Sequence, residues 1–239
     1  MKKKSAAMHI VSIFLVVLTV FCLPAACLAD SIVLIVDNAP DAYALSSPCE
    51  LVFSDVPTTY WAYEAVMAGY AHGILVGCGN SCFGPGDATT VAQLAAIIVR
   101  LHPADRGTEN GTGYWAEPYL QICRDKYSCL IDCGDFSPEN YDRSLTRDEA
   151  AWMLSSGCGN NIFDSNLINS HGILRTDIPD LEECAPTYQE AVLDLYRMDI
   201  LHGMDDCMTF GPKKTFTRAE VCQILVNGNV YREGFGRSV

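Results

Sequence analysis

Two arginines stand where a helix has little use for them. Arg147, in Thr146-Arg147-Asp148-Glu149, and Arg218, in Thr217-Arg218-Ala219-Glu220, each follow a threonine that opens a helical pattern. In Thr-x-x-Glu the hydroxyl accepts from the amide three residues on and the glutamate reaches back, so threonine and glutamate have a structural reason to be there. The arginines do not, because the first turn is the positive end of the helix dipole. A solvated surface charge is the bland account. The same placement twice points instead to a guanidinium kept for an anion, and a carboxylate matches its planar fork best. Arg147 and Arg218 are therefore the primary candidate ligand contacts. Catalysis has weaker footing. His72 and His202 lie at helix ends with no nucleophile or carboxylate at a telling spacing, and no Gly-x-Ser-x-Gly or His-Glu-x-x-His run occurs. The expectation is a binding protein without catalysis or cofactor.

The elements that must position these arginines recur along the chain. The first copy reads Phe53-Ser54-Asp55-Val56-Pro57, Trp61-Ala62, Gly73-Ile74-Leu75-Val76-Gly77, Phe83-Gly84-Pro85 and Thr90-Val91-Ala92-Gln93. The second keeps Trp115-Ala116, Phe136-Ser137-Pro138 and Thr146 to Glu149. The third keeps Thr176-Asp177-Ile178-Pro179, Ile200-Leu201-His202-Gly203, Phe210-Gly211-Pro212 and Thr217 to Glu220. Such a repeat is one supersecondary unit that buries its apolar face only against its neighbours. Each copy reads as helix, loop, helix. Trp61, Ala65, Val66 and Ala68 recur at helical spacing and Gly73 reads as a stop. Leu94, Ile97, Ile98 and Leu101 form the next apolar stripe. Val192, Leu195 and Tyr196, then Val221, Ile224 and Leu225, repeat this near the end.

That ordered set resembles the S-layer homology domain, in three copies over residues 50–228. The resemblance implies an all-α fold: three helix-loop-helix repeats in a pseudo-threefold arrangement, with a central helical bundle and grooves between neighbours. It implies non-covalent anchoring to the bacterial cell envelope through a secondary cell-wall polysaccharide, often carrying a pyruvate ketal. The family's groove arginine falls on Arg147 and Arg218. Its tryptophan falls on Trp61 and Trp115, which could face a sugar or pack at a helix start, and its aspartate on Asp55 and Asp177, read first as capping groups. Gly77 and Gly203 are weaker groove candidates. Departures are expected to leave at most two competent grooves: Val91 replaces the first arginine, and Thr187, with Tyr188 beside it as a substitute, replaces the third tryptophan. The rival to anchoring is an extracellular structural or interaction protein, without glycan binding, that meets another surface protein.

Composition and the ends set the compartment. Lys2 to Lys4, an apolar run from Ile10 to Leu23 and small residues at Cys27-Leu28-Ala29 read as a signal peptide cleaved after Ala29. The apolar run is too short for a spanning helix, which needs ~20 residues. Pro24 stands where a lipoprotein signal carries a leucine-like residue. Removing residues 1–29 takes three lysines and no acid from a chain whose formal charge is −13. So acidic a protein is a poor partner for nucleic acid or anionic lipid. Of twelve cysteines, Cys22 and Cys27 leave with the signal. The even remainder in an exported chain reads as disulfide staples. Cys78-x-x-x-Cys82 and Cys129-x-x-x-Cys133 are the local candidates. They fall at unmatched places in their repeats, which argues against zinc. The expected division is signal 1–29, extension 30–49, repeats 50–103, 104–157 and 176–228, an insertion at 158–175, and a tail at 229–239.

Overall fold

The second helix of each pair starts by handing its free amides to the next pair along, and this sets the architecture. A computed structural model describes residues 52–105, 113–130, 137–163 and 172–231, all within one unit, Leu45–Val239. Among the described residues there are six α-helices and no strand: α1 (Tyr63–Ala71), α2 (Val91–Leu101), α3 (Glu117–Asp125), α4 (Arg147–Ile162), α5 (Gln189–Arg197) and α6 (Arg218–Asn227). The fold is all-α. The signal segment, the extension, Cys49, Cys133 and Phe136 lie outside the described residues.

A helix leaves its first four amides without an internal partner. In α2 the amides of Val91 and Ala92 donate to the carbonyls of Arg143 (3.2 Å) and Tyr141 (2.9 Å), in the loop before α4. In α4, Arg147 and Asp148 donate to Lys214 (2.7 Å) and Pro212 (3.2 Å), in the loop before α6. In α6, Arg218 and Ala219 donate to Asp87 (2.9 Å) and Pro85 (3.1 Å), in the loop before α2. The three pairs thus close a ring, first on middle, middle on last, last on first. Isolated bridges Thr90 to Ser144, Thr146 to Thr215 and Ala88 to Thr217 stitch the same three junctions. The residues just before the helix caps, Thr89, Leu145 and Phe216, are all buried where these bridges meet.

Helix packing follows the same cycle. α2 packs on α3, α4 on α5, and α6 on α1, while α2 also meets α4. That role explains α2, in which Val91, Ala92, Leu94 to Val99 and Leu101 are all buried, leaving little of it to face water. Each Leu or Ile so buried contributes about 1.5–3 kcal/mol. The capping boxes form at Thr90/Gln93 and Thr217/Glu220, with amide-to-hydroxyl distances of 3.2 Å in both. The box is present at α4 too, where the Glu149 carboxylate accepts from the Thr146 amide at 2.9 Å and the Thr146 hydroxyl also donates to Asp148.

The structure corrects three expectations. α4 runs on to Ile162 through a kink at Gly159, whose φ is 43°, so the start of the expected insertion is helical. The eight described cysteines are free thiols, and no bridge joins Cys78 to Cys82. The Cys78 Sγ instead meets the Cys82 carbonyl at 3.4 Å, and the Cys82 Sγ lies 3.8 Å from the Ser54 hydroxyl. The register of the third repeat also shifts. Asp55 accepts from the amides of Phe83 (2.8 Å) and Gly84 (2.7 Å). Its counterpart is Asp180, which accepts from Phe210 and Gly211 at the same distances. Ile178-Pro179-Asp180-Leu181 therefore matches Phe53-Ser54-Asp55-Val56. Asp177, the residue expected in that place, closes a local turn by accepting from the Leu174 amide at 2.8 Å.

Candidate ligand-binding site

Each junction sets the residue after a helix-capping threonine against the Phe-containing loop or the helix start of the next pair. At the last-to-first junction, Arg218 lies over the Phe83 ring, 4.5 Å from its centroid. Its Nε donates to the Phe83 carbonyl at 2.9 Å and one terminal nitrogen donates to Val76 at 2.7 Å. The other terminal nitrogen has no hydrogen bond or ion pair among the described residues. Burial lowers the Arg218 pKa, opposed by Cys222, Cys78, Asp87 and Asp55 nearby. Trp61, just ahead of α1 in the first pair, is 59% exposed.

At the middle-to-last junction Arg147 repeats the motif but is more enclosed. Its Nε donates to the Phe210 carbonyl at 2.7 Å, and its guanidinium lies 4.1 Å from the Phe216 ring centroid and 5.2 Å from that of Phe210. A terminal nitrogen pairs with Glu220 at 2.9 Å, and only 4% of the residue is exposed. Desolvation lowers its pKa, opposed chiefly by Glu220. Beside it the fully buried Asp148 pairs with Lys213 at 2.7 Å, and that hydrogen bond raises the lysine pKa. The aromatic position here is Thr187. The expected substitute, Tyr188, is buried and packs near Trp152, with ring centroids 6.1 Å apart.

The first-to-middle junction has the opposite deficit. Val91 is buried where the other two carry arginine, whereas Trp115, ahead of α3, is 49% exposed. Both tryptophans are exposed and also touch neighbouring rings, Trp61 that of Tyr60 (5.8 Å) and Trp115 those of Tyr114 (6.1 Å) and Tyr119 (6.3 Å). Gly77 and Gly203 sit where the chain passes close to itself. A Cβ on Gly77 would come within 2.7 Å of the Cys82 carbonyl and of the Phe53 ring, and one on Gly203 within 2.4 Å of the Met208 Cα. Their smallness is explained by loop packing.

Both arginines have a structural partner that the sequence did not give them, the carbonyl of the Phe in the Phe-Gly-Pro run of the next pair. Glu220 was legible only as a capping residue, yet its second oxygen holds Arg147. Asp180 could have been found by aligning Ile178 rather than Asp177 with the first repeat. Among the described residues no group of His, Cys, Asp and Glu could hold a metal ion.

Residues 52–95 and 177–222 match the model of the S-layer homology domain. These matches cover the first and last helix pairs as far as the first turns of α2 and α6. No curated protein sequence matches the chain closely enough to count as a relative. The S-layer homology domain is a non-catalytic module that anchors proteins to the bacterial cell wall and binds its polysaccharides. No helix among the described residues is long and apolar enough to cross a membrane.

Proposed function

We propose that this chain is an exported, non-covalent anchor for the bacterial cell envelope that binds an anionic secondary cell-wall polysaccharide at its last-to-first junction. One contrast supports the reading: among the described residues Arg218 packs on the first pair, which carries the exposed Trp61 ahead of α1, whereas the pair that Arg147 meets has Thr187 in that position and the pair with the exposed Trp115 is met by Val91. Arg218 would offer its unused nitrogen to a carboxylate such as a pyruvate ketal, while Trp61 would stack on the sugar ring. Arg147 enters this reading as a pillar of the middle-to-last junction, contacting ligand only if Glu220 gives way. The middle pair is then a third, diverged repeat of the same family, joined in the same ring. Calorimetric titration with a soluble pyruvylated wall saccharide should give one site per chain, and binding should vanish when the ketal is removed by acid. Two or three equivalent sites would overturn the single-junction assignment.

The mismatch at two junctions favours a second reading, in which the repeats form a stable extracellular scaffold for another surface protein. A chain that binds no wall saccharide would support it.

A further inference from the structure

α4 bends where a side chain from the first pair takes hold of it. A helix running straight through Gly159 would give the Gly157 carbonyl to the Asn161 amide. Gly159 has φ 43° and ψ −156°, which breaks that register. The carbonyl is taken instead by His102, the residue that ends α2, whose Nε2 donates to it at 2.8 Å. A carbonyl can only accept, so in the neutral imidazole Nε2 carries the proton and Nδ1 is bare. The approach is close on the α4 side as well. A Cβ on Gly157 would come within 2.7 Å of Ile98 and 3.4 Å of the Cys129 Sγ. His102 thus ties the first pair to the middle pair at the C-terminal ends of α2 and α4.

The surroundings of the ring suit the neutral form. His102 is half-buried and lies flat on the Tyr127 ring, with centroids 3.8 Å apart and 18° between the planes. The titratable groups around it, among the described residues, are Asp105 on its own turn, Lys126 and Tyr127 beyond α3, and the thiols Cys129 and Cys158 beside Gly157. Asp105 is the natural counter-ion. Both its oxygens already accept from Lys126, at 2.7 and 2.5 Å, and the Tyr127 hydroxyl donates to it too. Burial opposes the Asp105 charge, but those two partners outweigh it and keep the carboxylate ionised. Burial raises the pKa of Tyr127 and of Cys158, so both keep their protons. His102 is the group here whose ordinary range falls between about pH 5 and 8. Burial lowers its pKa from the ordinary 6.5, aided by Lys126 and opposed by the Gly157 carbonyl and Asp105.

We propose that the His102–Gly157 contact is a pH-operated latch on the α4 kink, shut while the imidazole is neutral and opened by its protonation. Protonation puts a cation in a half-buried place whose one carboxylate is already engaged by Lys126. In the released state the ring reaches water, which solvates the charge. The folded pKa lies below the released one, so the stability that the latch contributes is complete above about pH 6.5 and is lost as pH falls through the folded value. Release leaves the Gly157 carbonyl without its imidazole and frees the last turn of α4, where the Phe163 amide donates to the Gly159 carbonyl at 3.2 Å. The latch uses no residue assigned to the ligand and stands whether or not the chain binds a saccharide.

The test is hydrogen–deuterium exchange on the full chain at about pH 7.5 and about pH 5, each corrected for the intrinsic rate at that pH. Peptides covering residues 155–163 should lose protection at the lower pH, while those from α1 and α6 keep theirs. His102→Gln retains an N–H donor that does not titrate, so in that variant protection of 155–163 should be equal at the two pH values. Proton NMR, with the His102 signal identified by its absence from the variant, should show the ring titrating below pH 6.5. Unchanged protection in the wild-type chain, an equal acid loss in His102→Gln, a loss spread over all six helices, or a His102 ring titrating above pH 6.5 would each overturn the latch.

Discussion

Arg218 in the last helix donates to the carbonyl of Phe83 in the first pair, 2.9 Å away and 135 positions distant in sequence. Arg147 does the same to Phe210, 63 positions on. Each arginine locks a helix start onto its neighbour and stacks on a ring there, and the two differ in what remains. Arg147 is 4% exposed and paired with Glu220, whereas Arg218 is only half-buried and has no ion pair among the described residues.

The two arginines should therefore respond differently to substitution. Arg147→Ala removes a buried cation, leaves Glu220 without its partner and strips two Phe rings of their cation. A loss of about 2 kcal/mol is expected, below the value for fully buried pairs because Glu220 is partly exposed. That is a fall of roughly 4–8 °C in thermal midpoint. Arg218→Lys keeps the charge but loses the planar fork, so saccharide affinity should drop at least about tenfold with a much smaller stability change. Thermal melts and calorimetry on both variants check this. Equal effects on binding would show that Arg147 contacts the ligand.

The tryptophans give a cleaner contrast because both are exposed. Trp61→Ala should weaken saccharide binding about tenfold or more, and Trp115→Ala should leave it unchanged. Neither should move the thermal midpoint by more than about 2 °C. The reverse order of effects on binding would relocate the site to the first-to-middle junction.

Loop closure depends on the two glycines. Gly203→Ala would drive a methyl against Met208 backbone, which cannot swing aside as a side chain can, so a cost of about 1–3 kcal/mol is expected. Gly77→Ala meets a carbonyl and the Phe53 ring and should cost about the same. Urea unfolding of the two variants measures both, and neutral substitutions would show that these turns readily relax.

Asp55 links stability to pH. Burial opposes its charge, but the Phe83 and Gly84 amides outweigh that and hold its pKa below the ordinary 3.8. Its contribution is therefore complete above about pH 3.8 and is lost as pH falls through the lower folded value. Asp55→Asn should cost about 1–2 kcal/mol at neutral pH, with the difference from wild type shrinking as acid is added. A difference that stays constant from pH 6 to pH 2 would contradict this.

Much of the fold was legible because it rests on local signals. Thr-x-x-Glu and Thr-x-x-Gln marked the starts of α2, α4 and α6, and Gly73, with φ at 68°, marked the end of α1. The closed ring was not legible, because it is made by backbone carbonyls of Tyr141, Pro212 and Pro85, and carbonyls carry no sequence signature. The same cause hid the partners of Arg147 and Arg218. Those arginines looked superfluous within their own helices, and their partners proved to belong to the next pair. Asp180 was missed because Asp177-Ile178-Pro179 offers a closer textual match to Asp55-Val56-Pro57. Only the amides of Phe210 and Gly211 distinguish the two.

Co-sedimentation with purified bacterial wall sacculi, before and after acid extraction of the secondary polysaccharide, tests anchoring most directly. The chain should pellet with intact sacculi and remain in solution once the polysaccharide is gone. Pelleting that survives extraction, or none with either preparation, would contradict a polysaccharide anchor.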